Sequence, residues 1–265
     1  MTTVISNNLV LSNAFEPGDN GNAGVIGYQN VLNVSNVTAT SALATNPITS
    51  VANPATAYTW EATSAATQTI TIQTAGQQID YIGIARHNLD QIGLTVTVKY
   101  NGVTVVAGTA VSSIQAILFL QNEATPATVE IIIAGATVAP QIGVIYIGKA
   151  LRLERNIYVG HSPINYSRDR VSVNGVSENG QYLGEVVVRQ TNSTTVNLQN
   201  LTANWYRTEL DPFFALKPRP PCFYAWRPEG YPMEVGYCWI EGKPSMSNQR
   251  SNGFVECSFN FRGIV

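Results

Sequence analysis

The stretch from Thr67 to Leu89 constrains the fold of this chain more than any other. In TQTITIQ, Ile70 and Ile72 alternate with Thr69 and Thr71. Successive side chains of a strand point to opposite faces, so this pattern predicts a half-solvated antiparallel strand. A short AGQQ turn follows, and Ile79 to Ile84 is then more continuously apolar, as a more deeply buried strand would be. That run ends at Arg86, His87 and Asn88, the most polar cluster in this half of the chain. A core strand running into a polar loop is how a β-sandwich carries binding residues at one end of a rigid scaffold.

The neighbouring segments repeat the theme. Leu94 to Gly108, LTVTVKYNGVTVVAG, is an alternating strand, an Asn101-Gly102 two-residue turn and a returning strand. IQAILFLQ, TVEIIIAG and QIGVIYIGKALRL follow at short intervals with turn formers between them and no convincing helix, which predicts an antiparallel sandwich. With Trp60 just upstream, this half resembles the galactose-binding-like, discoidin-type jelly roll found on many bacteriophage tail proteins.

Charge marks a division. Residues 1–148 hold only Arg86 and Lys99 against seven acids, whereas the remainder is net basic although the whole chain is at −2. Such a shift is a domain-boundary signal. The expected organisation is an extended, Asn- and Gly-rich arm over 1–28, a jelly-roll sandwich over 29–148 and a second β-sandwich with one helix over 149–265. The basic residues of the second half are interleaved with acids, which favours contact between protein subunits over nucleic-acid binding.

The second half supplies that helix. Thr202 is placed to cap a helix from Ala203 to about Leu210, Pro212 should limit it, and Tyr206, Leu210, Phe213 and Phe214 make one apolar face. Short strands are expected at Tyr182–Gln190 and Ser193–Leu201, at FYAW and EVGYCWI around the RPEGYP turn, and at GFVECSFNFRGIV. The ordered run IGKALRLERNIYVGHSP, SENGQYLGEVVVRQ, LTANWYRTELDPFF and FYAWRPEGYPMEVGYCWI resembles the C-terminal domain of a family of phage virion proteins that carry a discoidin-like domain in front. The resemblance covers roughly residues 25–265. It implies a mostly β, tail-tube or distal-tail-like domain and a structural component of the tail or of appendages near it, and it carries no catalytic residues.

Chemistry finds little to work with. Charged residues are 12% of the chain, against a typical quarter. There are two histidines, His87 and His161. Asp80 or Asp90 could join His87 in a triad, but no nucleophile elbow is present and GHSP at Gly160 is not one. Nothing in the sequence makes Glu61, Asp90 and Glu123 converge as a hydrolytic pair. Cys222, Cys238 and Cys257 are an odd number with no zinc spacing and read as buried free thiols in strands. No catalytic residue, metal site or cofactor is expected. MTTVISNNLVLSNAF lacks the basic start and apolar core of a signal peptide, and no stretch approaches the roughly 20 apolar residues that span a bilayer. The expectation is assembly in the host cytoplasm and residence in the virion, without membrane insertion.

Two sets of residues remain as sites. Trp60 with Arg86, His87 and Asn88 supplies the aromatic face and hydrogen-bonding groups that carbohydrate sites use. The favoured alternative makes Trp60 a core residue, with His87 and Asn88 holding the following loop. Val4, Ile5, Leu9 and Val10 form a short apolar stretch able to dock on another subunit or virion protein. The function expected is that of a non-enzymatic tail, tail-fibre or tail-appendage protein that assembles with copies of itself and with other virion proteins of the tail or neck. The alternative is a module that recognises host surface glycans.

Overall fold

A computed structural model describes residues 23–111, 115–157, 160–249 and 253–264. Strand β1 (Val25–Gly27) opens it. Nine strands then build the expected jelly roll: β2 (Val37–Ala39), β3 (Trp60–Glu61), β4 (Gln68–Gln73), β5 (Ile79–His87), β6 (Thr95–Tyr100), β7 (Val103–Thr109), β8 (Ala116–Ala124), β9 (Thr128–Ala134) and β10 (Gln141–Gly148). They form a five-stranded sheet, β2-β4-β9-β6-β7, and a four-stranded sheet, β3-β10-β5-β8, with every pairing antiparallel. Ile70, Ile72, Ile82, Ile84, Ile131 and Ile145 meet between the sheets in one apolar core. The alternation of β4 is kept, its Gln68, Ile70 and Ile72 being buried. Asn101 and Gly102 turn at φ of 49° and 81°, the left-handed pair whose twist matches the flanking strands.

The third sheet has seven strands. It adds β11 (Leu151–Arg152), β12 (Arg168–Val176), β13 (Tyr182–Thr202), β14 (Cys222–Ala225), β15 (Val235–Asn248) and β16 (Phe254–Ile264) to β1, in the order β11-β1-β14-β15-β16-β13-β12. The end of the lead-in is thus an inner strand, with Val25 opposite both Arg152 and Ala225. One departure from expectation lies in β13. The two strands predicted across residues 182–201 are one, because Thr191 and Asn192 keep pairing with Asp169 and Arg168 instead of turning. Its register slips once against β16, between Leu198 and Leu201, and twice against β12.

The helix, α1, runs over residues 203–215. Thr202 caps it as expected, its hydroxyl accepting from the Trp205 N–H at 3.3 Å. Pro212 does not end it. The middle turn, Tyr206–Leu210, widens to a π-turn in which the Asp211 N–H reaches Tyr206 C=O. That shift places Pro212 in the first turn of the last helical segment, where a missing N–H is tolerated. Tyr206, Leu210 and Phe213 are buried against the sheet core, and Phe214 packs edge-on to Phe259.

The opposite face of this sheet is covered in part by the jelly roll. Tyr81, Ala85, Leu118 and Tyr146 meet Val25, Phe223, Val235 and Tyr237 in a second apolar layer. This contact explains why β5 is buried on both faces. Gly83 permits it, since a Cβ there would run into the Phe223 ring. At the seam the Asp80 carboxylate accepts from the Ala150 N–H at 2.7 Å and faces Arg152 at 3.5 Å, and the Tyr237 hydroxyl donates to Pro54 C=O at 2.7 Å. No helix among the described residues is long and apolar enough to cross a membrane.

Candidate functional site

The loop end of the jelly roll brings three of the four residues singled out there into one hydrogen-bonded corner. Trp60 is fully buried and its indole N–H donates to Ser41 C=O at 3.0 Å. Trp60 and His87 both stand opposite Ile142 on neighbouring strands. His87 is 8% exposed, and its Nδ1 accepts from the Leu89 N–H at 3.1 Å. The proton therefore sits on Nε2, a buried atom without a partner among the described residues. Burial lowers the imidazole pKa to about 4, so the ring is neutral. Its Nδ1 bond goes to backbone and not to a carboxylate, which removes the triad geometry considered for Asp80 or Asp90.

Asn88 is a loop clamp. Its Nδ2 donates to Ala139 C=O at 3.0 Å and its Oδ1 accepts from the Gln141 N–H at 2.8 Å. Gln91 continues the clamp by accepting from the backbone of Thr137 and Val138. Only Arg86 of the four is exposed, and its φ is 56°, a left-handed conformation uncommon for a residue with a side chain. Val4, Ile5, Leu9 and Val10 lie outside the described residues.

Two features of the seven-stranded sheet were not singled out in the sequence. The first is a ribbon. Among the described residues, those of β13 before Asn192 pair only with β12, so the two strands run on as a hairpin. Its apolar residues face water: Val173 is 63% exposed, and Leu183, Val186 and Val188 are 66–68% exposed. The triple valine at 186–188 was legible as a strand, but an apolar run in sequence signals burial and gave no sign of exposure.

The second feature is a polar field on the helix-free face. Arg262 donates to Glu241 at 2.7 Å and pairs with Asp169. Around Glu241 lies a cleft of ≈ 310 Å³ edged by Ser193, Thr195 and Asn260. A second cleft of ≈ 270 Å³ is edged by Asn197, Ser245, Ser247, Glu256 and Ser258.

Among the described residues no three His, Cys, Asp or Glu side chains converge as metal ligands. The three cysteines are free and buried. Burial pushes the Cys257 thiol up to about 12 and raises Cys222 and Cys238 in the same direction, so all three stay protonated and inert.

The chain matches no protein-family model and no curated protein. Solved structures match parts of the chain. A selenomethionine-labelled mutant of chitosan-binding module 1, derived from a chitosanase/glucanase of Paenibacillus sp. IK-5, is 14% identical over 45% of this chain and 98% of its own, with a TM-score of 0.39. The family 32 CBM from C. perfringens NanJ, in complex with galactose, is 14% identical over 42% of this chain and 90% of its own, at 0.36. A Streptococcus pneumoniae fucose binding module, SpX-3, is 9% identical over 46% and 98%, at 0.38. Likeness at this level carries no ligand over to this chain.

Proposed function

We propose that this chain is a non-enzymatic structural protein of a phage virion, a component of the tail, a tail fibre or a tail appendage that assembles with copies of itself and with other virion proteins. The observation that supports this reading best is the β12–β13 ribbon. An isolated two-stranded hairpin is marginal in water, and contiguous exposed apolar side chains mark contact surfaces. This one presents Val173 directly opposite Val186, both more than half exposed. Analytical ultracentrifugation of the purified chain tests it. The parent should form a defined oligomer, and a Val173→Ser, Val186→Ser double variant should be a folded monomer. Mass spectrometry of purified virions should find the protein, and deleting residues 2–24, which removes Val4 to Val10, should leave a folded chain that no longer enters particles. A monomeric parent absent from particles would sink the reading.

A second reading, recognition of host glycans at the jelly-roll end, is favoured by Arg86. A strained backbone beside a clamped loop is a recurring mark of binding sites, and this guanidinium is the exposed member of its cluster. Arg86→Ala should remove the saturable glycan binding that belongs to the jelly-roll end if this reading holds. A parent without such binding leaves assembly as the sole function of this half.

A further inference from the structure

The polar field of the seven-stranded sheet repeats one chemical unit twice. Along β13 and β16, Val196, Leu198, Cys257, Phe259 and Phe261 face the helix, so by alternation Thr195, Asn197, Ser258 and Asn260 face the other way. In the first cleft Asn260 Oδ1 accepts from the Thr195 hydroxyl at 2.8 Å. This fixes the amide and turns its NH₂ outward as a donor. Glu241 lies directly opposite Asn260, and with one oxygen held by Arg262 it offers the other as an acceptor. The second cleft has the same pair. Asn197 Oδ1 accepts from Ser258 at 2.7 Å, and Glu256 Oε1 accepts from Ser247 at 2.8 Å, which leaves an amide donor and a carboxylate acceptor.

Asn260 and Ser258 are two residues apart on one strand, so the clefts are about 7 Å apart. The two lie on either side of a register shift in β15, between Glu241 and Ser245, with Gly242 at φ 76°. Trp239 stands two residues before Glu241 on β15, on the same face, and is 39% exposed.

From this geometry we infer that the face binds a neutral oligosaccharide, with successive sugar rings in the two clefts and Trp239 stacked on an adjoining ring. A sugar hydroxyl both donates and accepts, which is what one oriented amide and one carboxylate satisfy together. An aromatic ring covers the apolar face of a pyranose. Anionic ligands are disfavoured because Glu241, Glu256 and Asp169 all border the field. This site is separate from the ribbon and from Arg86 and stands without either.

The test is calorimetry on the full chain with chito-, cello- and galacto-oligosaccharides of about three to six units, and a sulfated heparin fragment as the anionic probe. At least one neutral series should bind saturably and heparin should not. Asn260→Ala and Trp239→Ala should each weaken binding about tenfold, the loss that one unpaired polar contact or one lost ring face brings. Trp239→Phe keeps a ring and should retain binding. Thermal melts of each variant separate lost contact from lost fold. The inference fails if no neutral probe binds at concentrations on the order of 10 mM, or if binding survives Asn260→Ala and Trp239→Ala in folded protein. It also fails if acrylamide quenching of the oligomer shows Trp239 shielded by a neighbouring subunit.

Discussion

The jelly roll and the seven-stranded sheet are made from the same low-charge, Thr- and Val-rich material, yet they treat faces and edges differently. The jelly roll closes on itself. Of its four edge strands, β2 and β3 are three and two residues long and β7 and β8 are seven and nine; its inner faces meet in one core, and its outer four-stranded face is covered. Edges as short as β2 and β3 discourage further pairing. The seven-stranded sheet ends in a two-residue strand at β11 but in nine residues at β12, and the ribbon beyond is apolar and open to water. Stability and outward contact therefore reside in different regions, and substitutions should separate them.

The largest effect belongs to the jelly roll. Trp60→Ala removes the biggest fully buried side chain together with its bond to Ser41 and should cost about 3–5 kcal/mol by urea denaturation. A loss below about 1 kcal/mol would show that this core is looser than its packing implies.

Acid should expose the next difference. His87 has a folded pKa of about 4 against an unfolded value near 6.5. The unfolded chain thus binds the proton first. The contribution is fully present above about pH 6.5 and is lost as pH falls towards 4, by about 3 kcal/mol at ~1.4 kcal/mol per pH unit. His161, lowered by burial beside the seven-stranded sheet, acts with the same sign. Asp80, raised by burial at the seam, acts with the opposite sign, stabilising at low pH and losing that contribution as pH rises through its folded pKa. Denaturant midpoints at pH 7 and pH 4.5 should converge in His87→Gln, and an unchanged slope there would assign the acid sensitivity elsewhere.

The seam itself comes third. Gly83→Ala puts a methyl into the Phe223 ring and should cost about 1–3 kcal/mol as overpacking; equal stability would mean that the two sheets slide apart freely. Thr202→Ala, which uncaps the helix and abandons the Glu154 carboxylate bonded to Thr202, should lower the melting free energy by about 1 kcal/mol. Last, Val173→Ser with Val186→Ser should shift monomer stability by no more than about 0.5 kcal/mol while dissolving the oligomer. A large loss in the monomer would erase the contrast between the regions.

Much of this was legible because the physics is local. Period-two alternation announced β4, the Asn101-Gly102 pair announced its hairpin, and Thr202 announced the cap. What escaped depended on partners distant in sequence. Nothing in VIG at 25–27 tells that it lies between strands ending at Arg152 and Ala225. Pro212 read as a stop because a π-turn upstream has no sequence mark. Trp60 and Asn88 kept two readings in sequence; the fold spends both in the scaffold and leaves Arg86 outside. The polar field was invisible because its amide–carboxylate pairs join β13, β15 and β16 across dozens of residues.

The place of Val25–Gly27 also sets a timetable. Its partner strand β14 ends at Ala225, so the ribosome, adding about 5–20 residues per second, needs several seconds after Gly148 before that partner exists. The nine-stranded jelly roll can close during this interval, while the first inner strand of the seven-stranded sheet has only the two-residue β11 to pair with. A nascent chain of this design carries an open strand position beside Val25–Gly27 until β14 has been made, and during those seconds the same position is open to a strand of a neighbouring chain on the same messenger.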